Sequence, residues 1–181
     1  MKNVPHNLIA IDLAMHQTGI AVFRSTNGEL TQWELKETIT IKDVINGEKF
    51  REGDVRQLVL GFNNIIHAYP VQYSDIVWVE YNPEDINKAL EKFQLCIGSM
   101  ILQYKSATEL VNANHWMAVA NKYCDYKRQT FPAGREGNKK WILANCTKLF
   151  PDHHFASQDE ADASFMGWTM IQDYVAKGMR L

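Results

Sequence analysis

Four carboxylates in this chain of 181 residues stand where their charge is costly. Asp12 ends the apolar run Asn7-Leu-Ile-Ala-Ile-Asp12, and Glu80 ends Asp75-Ile-Val-Trp-Val-Glu80. Asp159 and Asp162 lie a helical turn apart in Ser157-Gln-Asp-Glu-Ala-Asp-Ala163. A charge at the end of a buried strand is unfavourable unless something nearby compensates it. Carboxylates from three distant segments share one small site when a cation holds them together. Magnesium is the simplest such cation, because it takes oxygen ligands in octahedral geometry and keeps several waters. Two such ions about 4 Å apart activate a water and stabilise the leaving oxygen of a phosphodiester. The chemistry these residue types point to is that of a nuclease.

Each acid also has an ordinary explanation. Asp12 can turn into the loop after its strand, and Glu80 can begin the turn made by Asn82-Pro83. Ser157 with Glu160 three residues later makes a capping box, and Asp159 then suits the first turn of a helix. Glu160 is assigned to that capping role. Asp162 is harder to explain this way, since it lies beside the apolar stripe of Ala161, Phe165, Trp168 and Ile171 and shares a face with Asp159. Four independent explanations are needed where one metal site accounts for all four acids.

The elements that must position these acids follow from periodicity. Residues 8–13 and 20–24 are short apolar runs, Thr26-Asn-Gly-Glu29 is a hairpin turn signal, and Leu30 to Ile41 alternates, so three antiparallel strands open the domain. Asp54 to Tyr69 has helical spacing, and Ile76 to Val79 is a continuous run suited to a central strand. Glu84 to Lys105 reads as a long helix, Glu109 to Ala113 as a fifth strand and His115 to Tyr123 as a short helix. Asp125 to Asn138, with Pro132, Gly134 and Gly137, reads as a mobile loop. Helices over Lys139–Phe150 and about Gln158–Ala176 complete the chain. The result is an α/β fold, a mixed five-stranded sheet with helices on both faces. Asp12 and Glu80 lie side by side in it if their strands are neighbours, with Asp159 and Asp162 brought across their ends.

The composition, 46% apolar and 22% charged, suits one globular domain over residues 1–181 and excludes a disordered chain. Cys96, Cys124 and Cys146 lack C-x-x-C spacing and read as reduced thiols. No run reaches membrane-spanning length and no signal-peptide pattern opens the chain, so a soluble, cytoplasmic protein is expected. A net charge of −2 argues against coating nucleic acid over the whole surface. Yet Lys122, Lys127, Arg128, Arg135, Lys139, Lys140 and Lys148 outnumber Asp125 and Glu136 in one segment, with Tyr123, Tyr126, Phe131 and Trp141 among them. Such a segment is either a solvated surface or a path for phosphates and bases.

The segment Ile9-Ala-Ile-Asp-Leu-Ala-Met-His-Gln-Thr-Gly-Ile-Ala-Val-Phe23 resembles the opening of the RuvC-type Holliday junction resolvases. Val77-Trp-Val-Glu80 before a long helix resembles their second motif, and Asp159-Glu-Ala-Asp-Ala163 their closing acidic helix. The resemblance runs from about residue 8 to 172. It implies an RNase H-like fold, a homodimer, and a magnesium site, with manganese able to substitute, that makes paired nicks in branched, four-way DNA. It further implies Asp12, Glu80, Asp159 and Asp162 as catalytic metal ligands and Lys139 or Lys140 as the basic residue near the scissile phosphate. Tyr81 is the candidate for an aromatic wedge, and Lys127, Arg128, Arg135, Lys139 and Lys140 are the expected DNA contacts. Leu13-Ala14 replaces the family's usual Pro-Gly after the first acid. A compact, weakly acidic chain of this kind looks more like the resolvases of phages than the cellular form. For dimerisation, the stripe Leu90, Phe93, Ile97 and Ile101 beside Gly98 and Ser99 offers either a symmetric contact or burial on the sheet. Three readings stay open: junction cutting, the same chemistry on flaps or RNA–DNA hybrids, and junction binding without cutting.

Overall fold

A computed structural model describes residues 7–14, 16–26, 32–42, 44, 55–69, 75–81, 88–104 and 107–178. The expected turn at Thr26–Glu29 lies largely outside these residues. So do the Asn82-Pro83 stop and the first residues of the helix expected from Glu84.

The strands are β1 (Leu8–Asp12), β2 (Gln17–Ser25), β3 (Trp33–Lys42), β4 (Ile76–Tyr81) and β5 (Ala107–Asn112). They form one sheet in the order β3-β2-β1-β4-β5, antiparallel from β1 to β3 and parallel through β1, β4 and β5. This is the mixed sheet of the RNase H-like fold. The first acid-bearing strand therefore lies beside the second. The register pairs Ile11 with Val79, and Asp12 and Glu80 are the next residues of the two strands.

Alternation then decides where the acids point. Ile9, Ile11, Val77 and Val79 face one side of the sheet, where α1 (Val55–Ala68) and α2 (Lys88–Tyr104) supply Ile65, Phe93, Ile97 and Ile101. Leu8, Ala10 and Trp78 face the other side, covered by α3 (Ala113–Tyr123), α4 (Arg135–Leu149) and α5 (Gln158–Ala176). Side chains two residues apart share a face, so Asp12 follows Leu8 and Ala10, and Glu80 follows Trp78, toward α5.

Helix α5 starts as its sequence dictates: Ser157 is the N-cap, and its Oγ accepts the Glu160 amide at 3.2 Å. It buries Ala161, Phe165, Met166, Met170 and Ile171 against the sheet. Each large side chain contributes roughly 1.5–3 kcal/mol before the entropy of ordering it is subtracted. That burial fixes the helix across β1 and β2, and so fixes the acids of its first turn.

The region between α3 and α5 departs from expectation. Helix α4 begins at Arg135, not Lys139, and Arg128–Thr130 form a turn of 3-10 helix. The loop expected to be mobile is strapped to α4. Arg128 donates to the Asn138 side chain, to Phe131 O at 3.2 Å and to Gly134 O at 3.3 Å. A β-carbon on Gly137 would overlap the Pro132 carbonyl, so glycine there is a close-approach residue inside the helix. Trp141 is fully buried, with its indole donating to Tyr126 O at 2.7 Å, and offers no surface for bases. In α2, Phe93, Ile97 and Ile101 are buried in the core, which uses these three residues of the stripe considered for dimerisation and leaves Leu90 half-buried. All three cysteines are free thiols, and no described helix is long and apolar enough to cross a membrane.

Candidate metal centre

Three of the four acids converge. Asp12, Asp159 and Asp162 can each place an oxygen within 4.8 Å of the others. Glu80 stands beside them, in a cleft of about 440 Å³ that also includes Asp159, Asp162, Gln17, Trp116, Arg135, Asn138, Lys139 and Gln158. Two strand ends and one helix start thus meet at a single point of the α5 face.

The turn between β1 and β2 holds Asp12 in place. Thr18 is buried, donates to Ala14 O at 2.7 Å and accepts the Ala14 amide at 3.1 Å, while His16 is exposed. On the next strand Gly19 pairs with Asp12, and the Asp159 backbone lies directly against it. The start of α5 is also hooked to β3. The buried carboxylate of Glu160 accepts from Thr38 at 3.0 Å, Thr40 at 2.6 Å and the Ala156 amide at 2.8 Å. Thr40 further bonds Ser157 at 2.8 Å, and His153 lies 2.9 Å from the Thr38 hydroxyl. Glu160 is structural, as its spacing indicated, but only the Ser157 half of the capping box is formed: the Glu160 carboxylate accepts the Ala156 amide and reaches across to β3.

Burial and mutual repulsion dominate the electrostatics. Burial first, then the charges of Glu80, Asp162 and Asp159, push the Asp12 carboxyl well above its usual range, with Arg135 opposing. Glu80 is pushed up to about 7 by burial and repelled by Asp162, against a hydrogen bond from Trp116. Asp162 rises to about 6, again through burial and then Asp159, with Gln158, Lys139 and Arg135 pulling it down. Asp159 is raised by burial and relieved by Lys139 and Arg135. Acids raised by burial, and three of them also by one another, form a site that gains from positive charge. The donors are all hard carboxylate oxygens, which fits magnesium or manganese and not a thiolate-seeking metal.

The remaining expected residues divide. Arg135 and Lys139 line the cleft, and Lys139 lies 3.5 Å from Glu136 at the surface. Lys140 is exposed on the adjacent position of α4. Lys127 donates to Asn121 O, Lys122 O and Cys124 O at 3.0, 3.1 and 2.8 Å, closing the end of α3. Arg128 is held within the loop as described. Tyr81 is half-buried, with its hydroxyl donating to Glu91 at 3.3 Å.

Sequence reasoning missed the two cleft residues that bond the acids, Trp116 and Gln158. The Trp116 indole donates to Glu80 Oε2 at 3.0 Å, and the Gln158 amide donates to Asp162 Oδ1 at 2.6 Å. The spacing of Gln158 and Asp162, four apart in one helix, could have signalled the second contact. No local pattern signals the first.

No protein-family model matches the chain, and no curated protein matches it in sequence. Solved structures do match in fold. Thermus thermophilus RuvC in complex with Holliday junction substrate is 13% identical, with a TM-score of 0.57 over 95% of this chain and 96% of that one. The Fowlpox virus resolvase in complex with Holliday junction DNA is 10% identical, with a TM-score of 0.55 over 96% and 99%. The yeast mitochondrial Holliday junction resolvase Ydc2 is 13% identical, with a TM-score of 0.50 over 96% and 81%. The chain therefore has the fold of Holliday junction resolvases, and carries within it an acidic cluster able to hold a divalent metal.

Proposed function

We propose that this protein is a magnesium-dependent endonuclease that resolves four-way DNA junctions by paired nicks. The observation that carries this reading is the cluster of Asp12, Asp159 and Asp162 beside a cleft that Glu80 lines together with Arg135 and Lys139. Acids alone suit a metal, whereas acids faced by cations suit a metal together with a phosphate. The four carboxylates hold the metal. When bound, magnesium supplies an activated water and stabilises charge on the leaving oxygen.

Lys139, at the cleft, stabilises negative charge developing on the scissile phosphate, and Arg135 and Lys140 contact the DNA backbone. Lys127 and Arg128 keep that surface in shape, whereas Tyr81 follows Val77 and Val79 to the opposite side of the sheet and bonds Glu91 of α2. Paired nicks need two active sites, so the chain acts as a homodimer with an isologous contact. With Phe93, Ile97 and Ile101 in the core, that contact uses other residues.

The test is cutting of labelled four-way junction, flap, duplex and RNA–DNA hybrid, each with magnesium and with a chelator. Magnesium-dependent cutting that prefers the junction is expected. Cutting confined to flaps or hybrids would assign the same centre to another substrate, and junction binding without any cutting would make the domain a binding module.

A further inference from the structure

Two acids of the centre, Glu80 and Asp162, are held by neutral groups. Trp116 fixes Glu80 through Oε2 and Gln158 fixes Asp162 through Oδ1. We propose that Trp116 and Gln158 are positioning residues for divalent-cation binding, each anchoring one oxygen of a carboxylate and presenting the other to the metal. The inference rests on the reading of the acids as metal ligands.

The chemistry of the donors supports it. A lysine or arginine in either place would orient the carboxylate but cancel the charge that attracts the cation. An indole N–H or a carboxamide N–H orients it and leaves the charge in place. Trp116 is also placed to connect two of the elements that form the site. It is 2% exposed on α3, and its ring stands edge-on to Phe165 of α5, with centroids 6.0 Å apart at 85°. Its N–H reaches β4, so one side chain ties the strand carrying Glu80 to the helix carrying Asp159 and Asp162. Gln158 does the same within α5, from its first residue to Asp162 one turn on. The centre's ligands are thereby ordered before a cation arrives, and less of the binding energy is lost to ordering them.

Trp116→Phe keeps an aromatic ring beside Phe165 and removes only the indole N–H, and Gln158→Leu removes the amide from a half-buried position. Manganese is titrated by calorimetry into the metal-free full chain, and thermal midpoints are measured in chelator. Each variant is expected to bind manganese about 10–100-fold more weakly, the usual effect of losing a group that orients a ligand. Gln158→Leu is expected to keep its metal-free midpoint, and excess manganese is expected to restore cutting, which it would not do for a packing defect. If Trp116→Phe fails to fold, Gln158→Leu decides the matter. Manganese affinity within twofold of wild type in the folded variants would overturn the inference while leaving the metal reading intact. Failure of the unmodified protein to bind manganese would overturn both.

Discussion

Gly19 of β2 lies directly against the backbone of Asp159: a β-carbon on it would overlap the Asp159 carbonyl and come within 2.8 Å of the Glu160 amide nitrogen. Gly19 is also the strand partner of Asp12. Two of the acids are thus brought together by backbone contact, at a position where any side chain would push the helix away. Gly19→Ala should lift the start of α5, costing about 1–3 kcal/mol as overpacking does. Divalent-metal affinity should fall with it. Calorimetry with manganese and a denaturation curve in chelator measure the two effects, and an unchanged affinity would show that α5 is seated by other contacts.

Substitution of the acids should separate chemistry from binding. Asp12→Asn, Glu80→Gln and Asp162→Asn each remove a ligand and leave the basic surface alone. Losing a group that merely orients a ligand costs about 10–100-fold, so losing a ligand should slow single-turnover cutting more than about 100-fold. Junction binding in a gel-shift assay should persist. Near wild-type cutting by any one variant at saturating magnesium would remove that residue from the centre.

The raised carboxylates make metal-free stability depend on pH in a defined direction. Glu80 at about 7 and Asp162 at about 6 sit above their unfolded values, so between about pH 4 and 7 the folded chain binds more protons than the unfolded one. Their contribution is fully present below the unfolded values and is lost as pH rises through 6 and 7. In chelator the protein should melt at a lower temperature at pH 8 than at pH 5.5, and magnesium should reverse the difference. Equal midpoints in chelator at the two pH values would contradict the electrostatics described.

The basic residues should fall into three groups. Charge removal at Arg135 or Lys140 should weaken junction binding and reduce the salt slope by about 0.9 for each phosphate that is no longer neutralised. Lys139→Ala should chiefly slow cutting at saturating protein. Arg128→Ala should lower stability, since its guanidinium bonds Asn138, Phe131 and Gly134. Salt titrations, single-turnover rates and thermal midpoints on the same set of variants distinguish these outcomes.

The legible parts of the sequence were those governed by local period. Alternation in Leu8-Ile-Ala-Ile-Asp12 and in Val77-Trp-Val-Glu80 already directs both acids to one face, and the Ser157 cap with its apolar stripe marks α5 at Gln158–Ala176. The start of α4 was hidden because Gly134 and Gly137 look like loop residues, whereas Gly137 is a helix residue chosen for its approach to Pro132. The charges of Lys127 and Arg128 were visible, but the backbone carbonyls that accept from them are set by the turn between α3 and α4. The hydrogen bond from Trp116 to Glu80 spans 36 positions and depends on α3 packing beside β4, which no period encodes.

On this reading β1, β4 and α5 bring their acids together to hold divalent metal. Anomalous diffraction from crystals soaked in manganese tests it most directly. A strong peak bound by the carboxylates of Asp12, Asp159 and Asp162 is expected, with a second about 4 Å away that engages Glu80 when DNA is present. The absence of a peak among these four carboxylates, or manganese bound only elsewhere on the surface, would contradict it.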